Sequence, residues 1–459
     1  MVLTGAYRPA LQHNRLAFND DMFLRIERVL GTPMVNQIVW RFDRPLEQLD
    51  LPGFRDRLAG GPLSRLVVRS QLPAARDKWI PAPASDRQLR FGPVLPVERF
   101  RSWIDQTGAT RVDPEIGPPW VLEAVPLSDG GSAVALLTSH VVCDGTVLLP
   151  AIDAAARGEA LPCLPDDAEP YPGLRRDTSD AIEQIRSAGA GLRQAWVSRK
   201  AAADTREEKA APPAPSHHNR KVTAADRVSD IPVGAPTALI EIAAELWDDK
   251  AQILGGTRNS LLIAFTASLW AAARVIPEGS TVHVAMPVTT RTEADRRANT
   301  TVGVQVPVPL TSDRYTDLGP VRTASREAFR RRAMGVGVNP LEPLKPLMQM
   351  LPDLVVEKMA AAVGDAGATC SNVDALPEGL RGLGGPPART IVLRTVTQNL
   401  TPSRAKRLGP GLTVWLWAPG DVISLAVQSL DLERFADDAA LRDLVGAELR
   451  RWDLPATIW

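Results

Sequence analysis

The residues best suited to chemistry lie in one hexapeptide, His140-Val141-Val142-Cys143-Asp144-Gly145. An imidazole has an ordinary pKa of about 6.5, so a substantial neutral fraction can accept a proton at physiological pH. Such a base can take the proton of an alcohol or amine that attacks a thioester carbonyl. Asp144 could pair with an arginine and brace the loop, and Gly145 would allow the backbone conformation that the turn needs. We therefore expect His140 to be a general base.

Other interpretations of these residues stay open. His140 could be a hydrogen-bonded core histidine, with Asp144 serving only as the cap of the following helix. Cys143 could be a thiol nucleophile beside a histidine base, although a free cysteine more commonly packs as a small hydrophobic residue. Elsewhere, His217-His218 have no acidic or cysteine partners nearby in the sequence, and His283 alternates with apolar residues in a predicted strand. We assign these histidines no catalytic or metal-binding role.

The flanks of the hexapeptide predict the elements that position it. Ser132–Ser139 is a short apolar run after Gly130-Gly131, which predicts a strand that is buried on both faces and ends at His140. An apolar helix is predicted to begin after the turn. Strand-like and helix-like stretches alternate along the rest of the chain, so we expect an α/β (α+β) fold. One long helix is predicted near its middle, over Asp177–Asp204, and another is expected to begin at a cap formed by Asn259 or Ser260.

A polar segment divides the chain. Residues 201–236 contain many prolines and charges and almost no large apolar side chains. Such a segment cannot bury enough surface to offset the entropy lost on ordering. We interpret it as a linker or crossover between an N-terminal lobe, residues 1–200, which carries the hexapeptide, and a C-terminal lobe, residues 237–459.

The composition excludes several classes of protein. The 459 residues include 53 Lys and Arg against 53 Asp and Glu, so there is no basic excess of the kind typical of nucleic-acid binding. Three cysteines without a CxxC pair or metal-ligand spacing indicate a reducing compartment. The N-terminus lacks a signal-peptide pattern, and the longest apolar stretch falls short of the roughly 20 residues needed to span a bilayer. We expect a cytoplasmic protein without a transmembrane segment or a metal.

The pattern His140-x-x-x-Asp144-Gly145 resembles the HxxxDG motif of the CoA-dependent acyltransferase superfamily. This superfamily includes chloramphenicol acetyltransferase, nonribosomal peptide condensation domains and bacterial wax ester synthase/diacylglycerol acyltransferases. Further segments resemble the wax ester synthase branch or related condensation-like enzymes: Asp113-Pro114 to Trp120 ("PLW"), Ala285–Arg291 ("MVPVSVR"), Asn299–Pro309 ("GN…LP", with Ala298 where glycine is usual) and Ser371-Asn372-Val373 ("SNVPGP", with Asp374-Ala375 in place of the glycine-rich end).

The resemblance implies two chloramphenicol acetyltransferase-like lobes with a substrate tunnel between them and His140 at its middle. It implies that Asp144 is structural, with Arg291 as its salt-bridge partner. Asn299 and Ser371 would line the tunnel or polarise the carbonyl oxygen. No cofactor is implied, because the acyl group arrives as a thioester of CoA or of an acyl-carrier protein, which would be supplied in trans.

The sequence also departs from this pattern. Ser139 replaces the first histidine of the extended motif, the DFGWG motif is absent, and Asp20-Asp21-Met22-Phe23-Leu24 only faintly resembles the N-terminal signature of wax ester synthases. We expect transfer of an acyl group to an alcohol or amine without a covalent acyl-enzyme, in bacterial specialised-metabolite or lipid biosynthesis. The alternatives are a catalytically silent condensation-like module that recruits a carrier protein or partner enzyme, and hydrolysis by the same base with water.

Overall fold

The computed structural model describes residues 14–164, 173–204, 230–292, 295–335, 342–360, 367–373, 377–418 and 420–459. Residues 205–229 of the predicted linker, which include His217-His218, lie outside the described residues, as do Asp374-Ala375. Two large sheets, each packed against its own hydrophobic core, form a mixed α/β fold of two lobes. No helix in the described ranges is long and apolar enough to cross a bilayer.

The secondary structure alternates between strands and helices, as the sequence predicts. The strands are β1 (Met34–Phe42), β2 (Arg65–Val68), β3 (Lys78–Pro81), β4 (Leu89–Phe91), β5 (Trp120–Pro126), β6 (Ser132–Ser139), β7 (Thr237–Ala243), β8 (Thr281–Thr289), β9 (Thr301–Pro309), β10 (Gly367–Val373), β11 (Thr390–Thr397), β12 (Gly411–Trp417), β13 (Val422–Ser429) and β14 (Thr457–Ile458). The helices are α1 (Phe18–Arg25), α2 (Leu51–Ala59), α3 (Phe100–Gly108), α4 (Gly145–Ala156), α5 (Leu174–Asp204), α6 (Ala244–Ile253), α7 (Arg258–Arg274), α8 (Gly319–Ala333), α9 (Lys345–Gln349), α10 (Asp353–Ala360), α11 (Glu378–Gly382), α12 (Pro402–Leu408) and α13 (Asp438–Arg451). A π-helical turn, Ile26–Leu30, continues α1.

The first sheet has the strand order β11-β1-β6-β5-β4, and the hexapeptide follows its central strand, β6. Every residue of β6 is buried. Val134 and Leu136 belong to one core, and Ala133 and Ala135 belong to a second core. Because side chains alternate across a strand, these two sets lie on opposite faces of the sheet. An uninterrupted apolar run is therefore needed at this position, as the sequence predicts.

The second sheet has the order β14-β7-β13-β12-β10-β8-β9 and packs on α7. Nearly all of α7 is buried, so this helix is apolar on every side. The predicted cap at Asn259 or Ser260 was wrong. The cap is Thr257, whose hydroxyl oxygen accepts a hydrogen bond from the Ser260 N–H over 3.2 Å. The helix therefore begins two or three residues earlier than the apolar run alone suggests.

One strand crosses between the lobes. β11 lies within residues 237–459 of the sequence, yet it pairs antiparallel with β1 in the first sheet, with Val392 opposite Val39. Val392 also shares a core with Leu239 of β7 and Ala426 of β13. The first sheet is thus completed by a distant part of the chain, and the two lobes pack together through a shared apolar layer.

Candidate active site

His140 lies directly after β6, where a loop leads into α4. Its backbone N–H donates to the Met34 carbonyl oxygen over 2.8 Å, which continues the pairing of β6 with β1. The ring is half-buried and stacks on Phe23 of α1, with the ring centroids 3.9 Å apart and the planes at 25°. The imidazole is therefore held at the end of a rigid sheet and against a helix from the N-terminal part of the chain.

The loop from His140 to Cys143 is fixed by side chains that donate to its backbone carbonyls. Asn299 Nδ2 donates to the carbonyl oxygens of His140 (3.0 Å) and Val141 (3.1 Å). The Arg65 guanidinium donates to the next carbonyl, that of Val142, over 2.7 Å. Asn36 of β1 donates to the last one, that of Cys143, over 3.0 Å. Because each of these carbonyls has a partner, the loop is closely constrained.

The hydrogen bonds around His140 determine which ring nitrogen carries the proton. His140 Nδ1 lies 3.1 Å from Asn299 Oδ1, an atom that can only accept. The orientation of the amide is set independently, since Nδ2 of Asn299 faces three acceptors, one of which is the Asp20 carboxylate at 3.0 Å. Nδ1 of the neutral imidazole must then be protonated. Nε2, which has no hydrogen-bond partner among the described residues, keeps its lone pair.

The surroundings favour the neutral form of this imidazole. Burial lowers the pKa of His140. A hydrogen bond to its own backbone carbonyl, the negative charge of Asp144 and the hydrogen bond to Asn299 oppose this change without reversing it. At physiological pH the ring is neutral, and Nε2 can accept a proton.

Asp144 connects the loop to both lobes. Its Oδ1 accepts from Thr146 N (3.0 Å), Thr146 Oγ1 (2.6 Å) and Val147 N (3.2 Å), so it caps α4. Its Oδ2 accepts from the Thr300 N–H over 2.8 Å, directly before β9 of the second lobe. Asp144 is therefore the cap of α4, as one interpretation of the sequence predicted, but only Oδ1 serves as the cap. Oδ2 binds the second lobe.

Arg291 follows β8 and reaches the same carboxylate. Its Nη2 lies 3.4 Å from Asp144 Oδ1, and its Nε donates to Thr146 Oγ1 over 2.7 Å. Its Nη1 donates to the carbonyl oxygens of Asp295 and Arg297. Arg291 thus joins the start of α4 to the segment before β9, and the hexapeptide is held at the boundary between the two lobes.

Solved structures show the same arrangement of two lobes. The chain is similar to the wax ester synthase/diacylglycerol acyltransferase from Marinobacter aquaeolei VT8, with 14% identity, a TM-score of 0.54, and coverage of 96% of this chain and 98% of that one. It is also similar to the first condensation domain of the calcium-dependent antibiotic synthetase, with 16% identity, a TM-score of 0.57, and coverage of 96% and 95%. This chain has a condensation-domain-like fold. No protein-family model matches the chain, and no curated protein matches its sequence.

Within this condensation-domain-like fold, two predictions made for the site are corrected. Gly145 is the first residue of α4 and does not have a positive φ, so the turn does not need the conformational freedom of glycine. A Cβ atom at this position would meet no other atom within 4 Å, so the glycine borders open space. Asn299 is completely buried, and its amide is used by His140, Val141 and Asp20. It therefore cannot line a tunnel or polarise a substrate carbonyl, and its position is behind the imidazole.

Ser371 is separated from this hydrogen-bonded group. It is half-buried on β10, paired with Trp415 of β12 in the second sheet. Among the described residues, no hydrogen bond connects Ser371 to His140, Asp144 or Arg291. A role in lining the tunnel or in binding the carbonyl oxygen remains a prediction for this residue.

The thiol nucleophile is not supported by the surroundings of Cys143. The side chain is completely buried, and its Sγ–H donates to Thr138 Oγ1 over 3.3 Å. Burial raises the pKa of the thiol to about 12, so the thiolate is essentially absent at physiological pH. Cys143 packs as a small core residue.

Sequence reasoning missed four residues that hold the hexapeptide, namely Asp20, Phe23, Asn36 and Arg65. The N-terminal signature, of which Asp20 and Phe23 are part, was the one available signal, and it did not indicate contact with His140. For metals, the described residues contain no group of three His, Cys, Asp or Glu side chains placed to hold an ion.

Proposed function

We propose that this protein transfers an acyl group from a CoA or carrier-protein thioester to an alcohol or amine. The observation that carries the proposal is the state of His140 in a condensation-domain-like fold. Its Nδ1 is held by Asn299, its pKa is lowered, and Nε2 is unpaired among the described residues. A neutral imidazole with one nitrogen fixed and the other available is what a general base requires.

The reaction would use this nitrogen twice. Nε2 accepts the proton of the acceptor O–H or N–H while the acceptor atom forms a bond to the thioester carbonyl carbon. The tetrahedral intermediate then breaks its C–S bond, and the proton on Nε2 passes to the departing sulfur. The products are an ester or amide and a free thiol, His140 returns to its neutral form, and no covalent acyl-enzyme is formed. General-base catalysis of this kind contributes about 10²–10⁴ in rate.

Other parts of the proposal depend on the resemblance to the superfamily. The donor arm and the acceptor would approach His140 from opposite faces through a tunnel between the lobes, and Ser371 would face the carbonyl oxygen. Gly145 supports this proposal because it leaves open space beside the loop. A role in bacterial specialised-metabolite or lipid biosynthesis, with a carrier protein acting in trans in the cytoplasm, remains a prediction.

The test is thiol release from a panel of acyl-CoA and acyl-carrier-protein thioesters with pooled alcohols and amines. His140→Ala is compared with the wild type and with His283→Ala, in which an exposed histidine on β8 is removed. We expect acceptor-dependent release that falls about 10²-fold or more only in the His140 variant. Release that needs no acceptor would instead show a hydrolase. No turnover, with carrier-protein binding equal in all three proteins, would favour the recruiting module.

A further inference from the structure

We propose that Asp20 is a positioning residue that fixes the His140 tautomer through Asn299 and thereby keeps Nε2 free to act as the base. This positioning role rests on the general-base function proposed above, and Asp20 performs it without touching the imidazole. Full activity would then require two carboxylates, Asp20 and Asp144.

Asp20 lies on α1, and both of its carboxylate oxygens accept hydrogen bonds from the protein. Its side chain is completely buried. Oδ1 accepts from Asn299 N over 2.8 Å and from Asn299 Nδ2 over 3.0 Å, while Oδ2 accepts from the Ala17 N–H over 2.8 Å. Oδ1 therefore connects Asp20 to His140 through Asn299, and Oδ2 holds the start of α1 through Ala17 N–H.

The Asn299 amide has two possible orientations, and Asp20 helps to select one of them. In the observed orientation Nδ2 faces Asp20 and the carbonyl oxygens of His140 and Val141, and Oδ1 faces His140 Nδ1. A reversed amide would place Oδ1 against three acceptors and Nδ2 against His140 Nδ1. The imidazole proton would then move to Nε2, which could no longer accept the proton of the acceptor.

The ionised carboxylate is the form that performs this task. It accepts three hydrogen bonds, and a protonated carboxyl would turn one of its oxygens into a donor facing other donors. Arg65 on β2 and Arg297 before β9 are the cations that interact with it, and Asp21 and Arg25 lie on its own helix. Burial raises the pKa of Asp20 to about 6, while Arg65 and the hydrogen bonds from Ala17 and Asn299 lower it.

A consequence for the pH dependence follows. Asp20 is ionised above about pH 6 and protonated below it. The pKa of His140 lies below its ordinary value because the ring is buried. As the pH falls through about 6, the carboxylate that orients the Asn299 amide is lost. We therefore expect the protonation of Asp20 to contribute to the acidic limb of the kcat profile.

The experiment measures the tautomer directly, without substrate. Two-bond ¹H–¹⁵N correlation spectra of ¹⁵N-histidine-labelled protein separate the two tautomers, and His140→Ala assigns the signal among the five histidines. We expect the Nδ1–H tautomer in the wild type at pH 7.5. In Asp20→Asn we expect a mixture or the Nε2–H tautomer, kcat at least about tenfold lower with KM nearly unchanged, and an acidic limb shifted to lower pH.

Asp21→Asn is the matched control. Asp21 is a neighbouring buried carboxyl on the same helix, and it pairs with Arg25. In the part of the chain that the structure describes, it forms no hydrogen bond with Asn299. It should keep the tautomer and the acidic limb of the wild type. The proposal is overturned if Asp20→Asn retains the wild-type tautomer and pH profile, or if Asp21→Asn changes them equally.

A third measurement covers the case in which Asp20→Asn does not fold. The wild-type ring is then followed from pH 8 to pH 5, and we expect the Nδ1–H signal to be replaced by that of the Nε2–H tautomer with a midpoint near 6. Direct conversion of the Nδ1–H signal into that of the imidazolium, or an unchanged tautomer over this range, would overturn the proposal. If the tautomer depends on Asp20 but His140→Ala keeps full activity, the general-base function fails while the positioning by Asp20 stands.

Discussion

Two segments hold the His140 loop, and their charges behave in opposite ways. In the first lobe, Phe18–Leu30 buries carboxyls whose ionisation is unfavourable, and burial raises the pKa of Glu27 to about 7. In the second lobe, Arg291 and residues 295–300 form a paired set in which the hydrogen bond to Asp295 raises the pKa of Arg297. At neutral pH, ionisation of the carboxyls in the first segment therefore lowers the stability of the fold, while the charges of the second segment stabilise each other. We expect removal of a charge to stabilise the first segment and loss of a contact to destabilise the second.

The largest expected effect is that of Asp144→Ala, which breaks the contacts between the loop and the second segment. The substitution removes a carboxylate that is 2% exposed and leaves Arg291, itself only 16% exposed, without its ion-pair partner. It also leaves the start of α4 uncapped and Thr300 N–H without an acceptor. We expect the free energy of unfolding to fall by about 3–5 kcal/mol, measured by urea denaturation, with activity falling in parallel.

Asp50→Ala is the control for the loss of a helix cap at the surface, where the carboxylate also makes an exposed ion pair with Arg57. Asp50 caps α2 through the Gly53 N–H, and its side chain is exposed to solvent. Its removal should cost about 0.5–2 kcal/mol. Equal losses in the two variants would mean that the contacts of Asp144 with the second lobe contribute nothing to stability.

The first segment should respond in the opposite direction to Glu27→Gln. The Glu27 carboxyl is half-buried, and after burial the negative charges of Asp113 and Glu115 raise its pKa further. Its folded pKa of about 7 lies above the ordinary value of 4.5, so ionisation weakens the fold as pH rises between these values. We expect the glutamine variant to be more stable by about 1–2 kcal/mol at pH 8, a figure reduced for partial exposure.

Thermal unfolding at two pH values checks this prediction. At pH 4.5 the glutamate is protonated in the folded state and about half protonated in the unfolded state, so most of the gain should disappear. Glu98→Gln, at an exposed position, should show no gain at either pH. If Glu27→Gln were equally stabilising at pH 4.5, the gain would come from packing of the glutamine side chain and not from removal of the charge.

The sequence predicted local features of this arrangement well and long-range ones poorly. β6 has the predicted bounds, because an apolar run that follows two glycines is a local signal. A long helix was also predicted over Asp177–Asp204, and α5 covers this range. Ile182, Ile185, Leu192 and Trp196 have the near-helical spacing that indicates it. In the structure these side chains are 44–64% exposed, so the apolar period identified the helix but not the face that it buries.

The contacts that hold His140 join residues far apart in the chain. Asp20 and Asn299 are 279 positions apart, and Asn36 and Cys143 are 107 apart. Nothing in the local pattern around Asp20 or Asn36 distinguishes a buried polar side chain from a solvated one. For the same reason the resemblance predicted Asn299 in the tunnel wall, whereas the structure buries it behind the His140 ring.

Ser371→Ala should have the smallest effect on stability, and it tests whether the second lobe contributes more than a scaffold. Ser371 makes no hydrogen bond to His140, Asp144 or Arg291 in the described part of the chain, so its hydroxyl is not needed to hold the loop. We expect the free energy of unfolding to change by no more than about 0.5 kcal/mol. If the hydroxyl donates to the developing oxyanion, as proposed, kcat falls tenfold or more at unchanged melting temperature, since such donors act mainly in the transition state. Thermal unfolding and steady-state kinetics on the same samples separate the two quantities. An unchanged kcat would remove Ser371 from the proposed reaction.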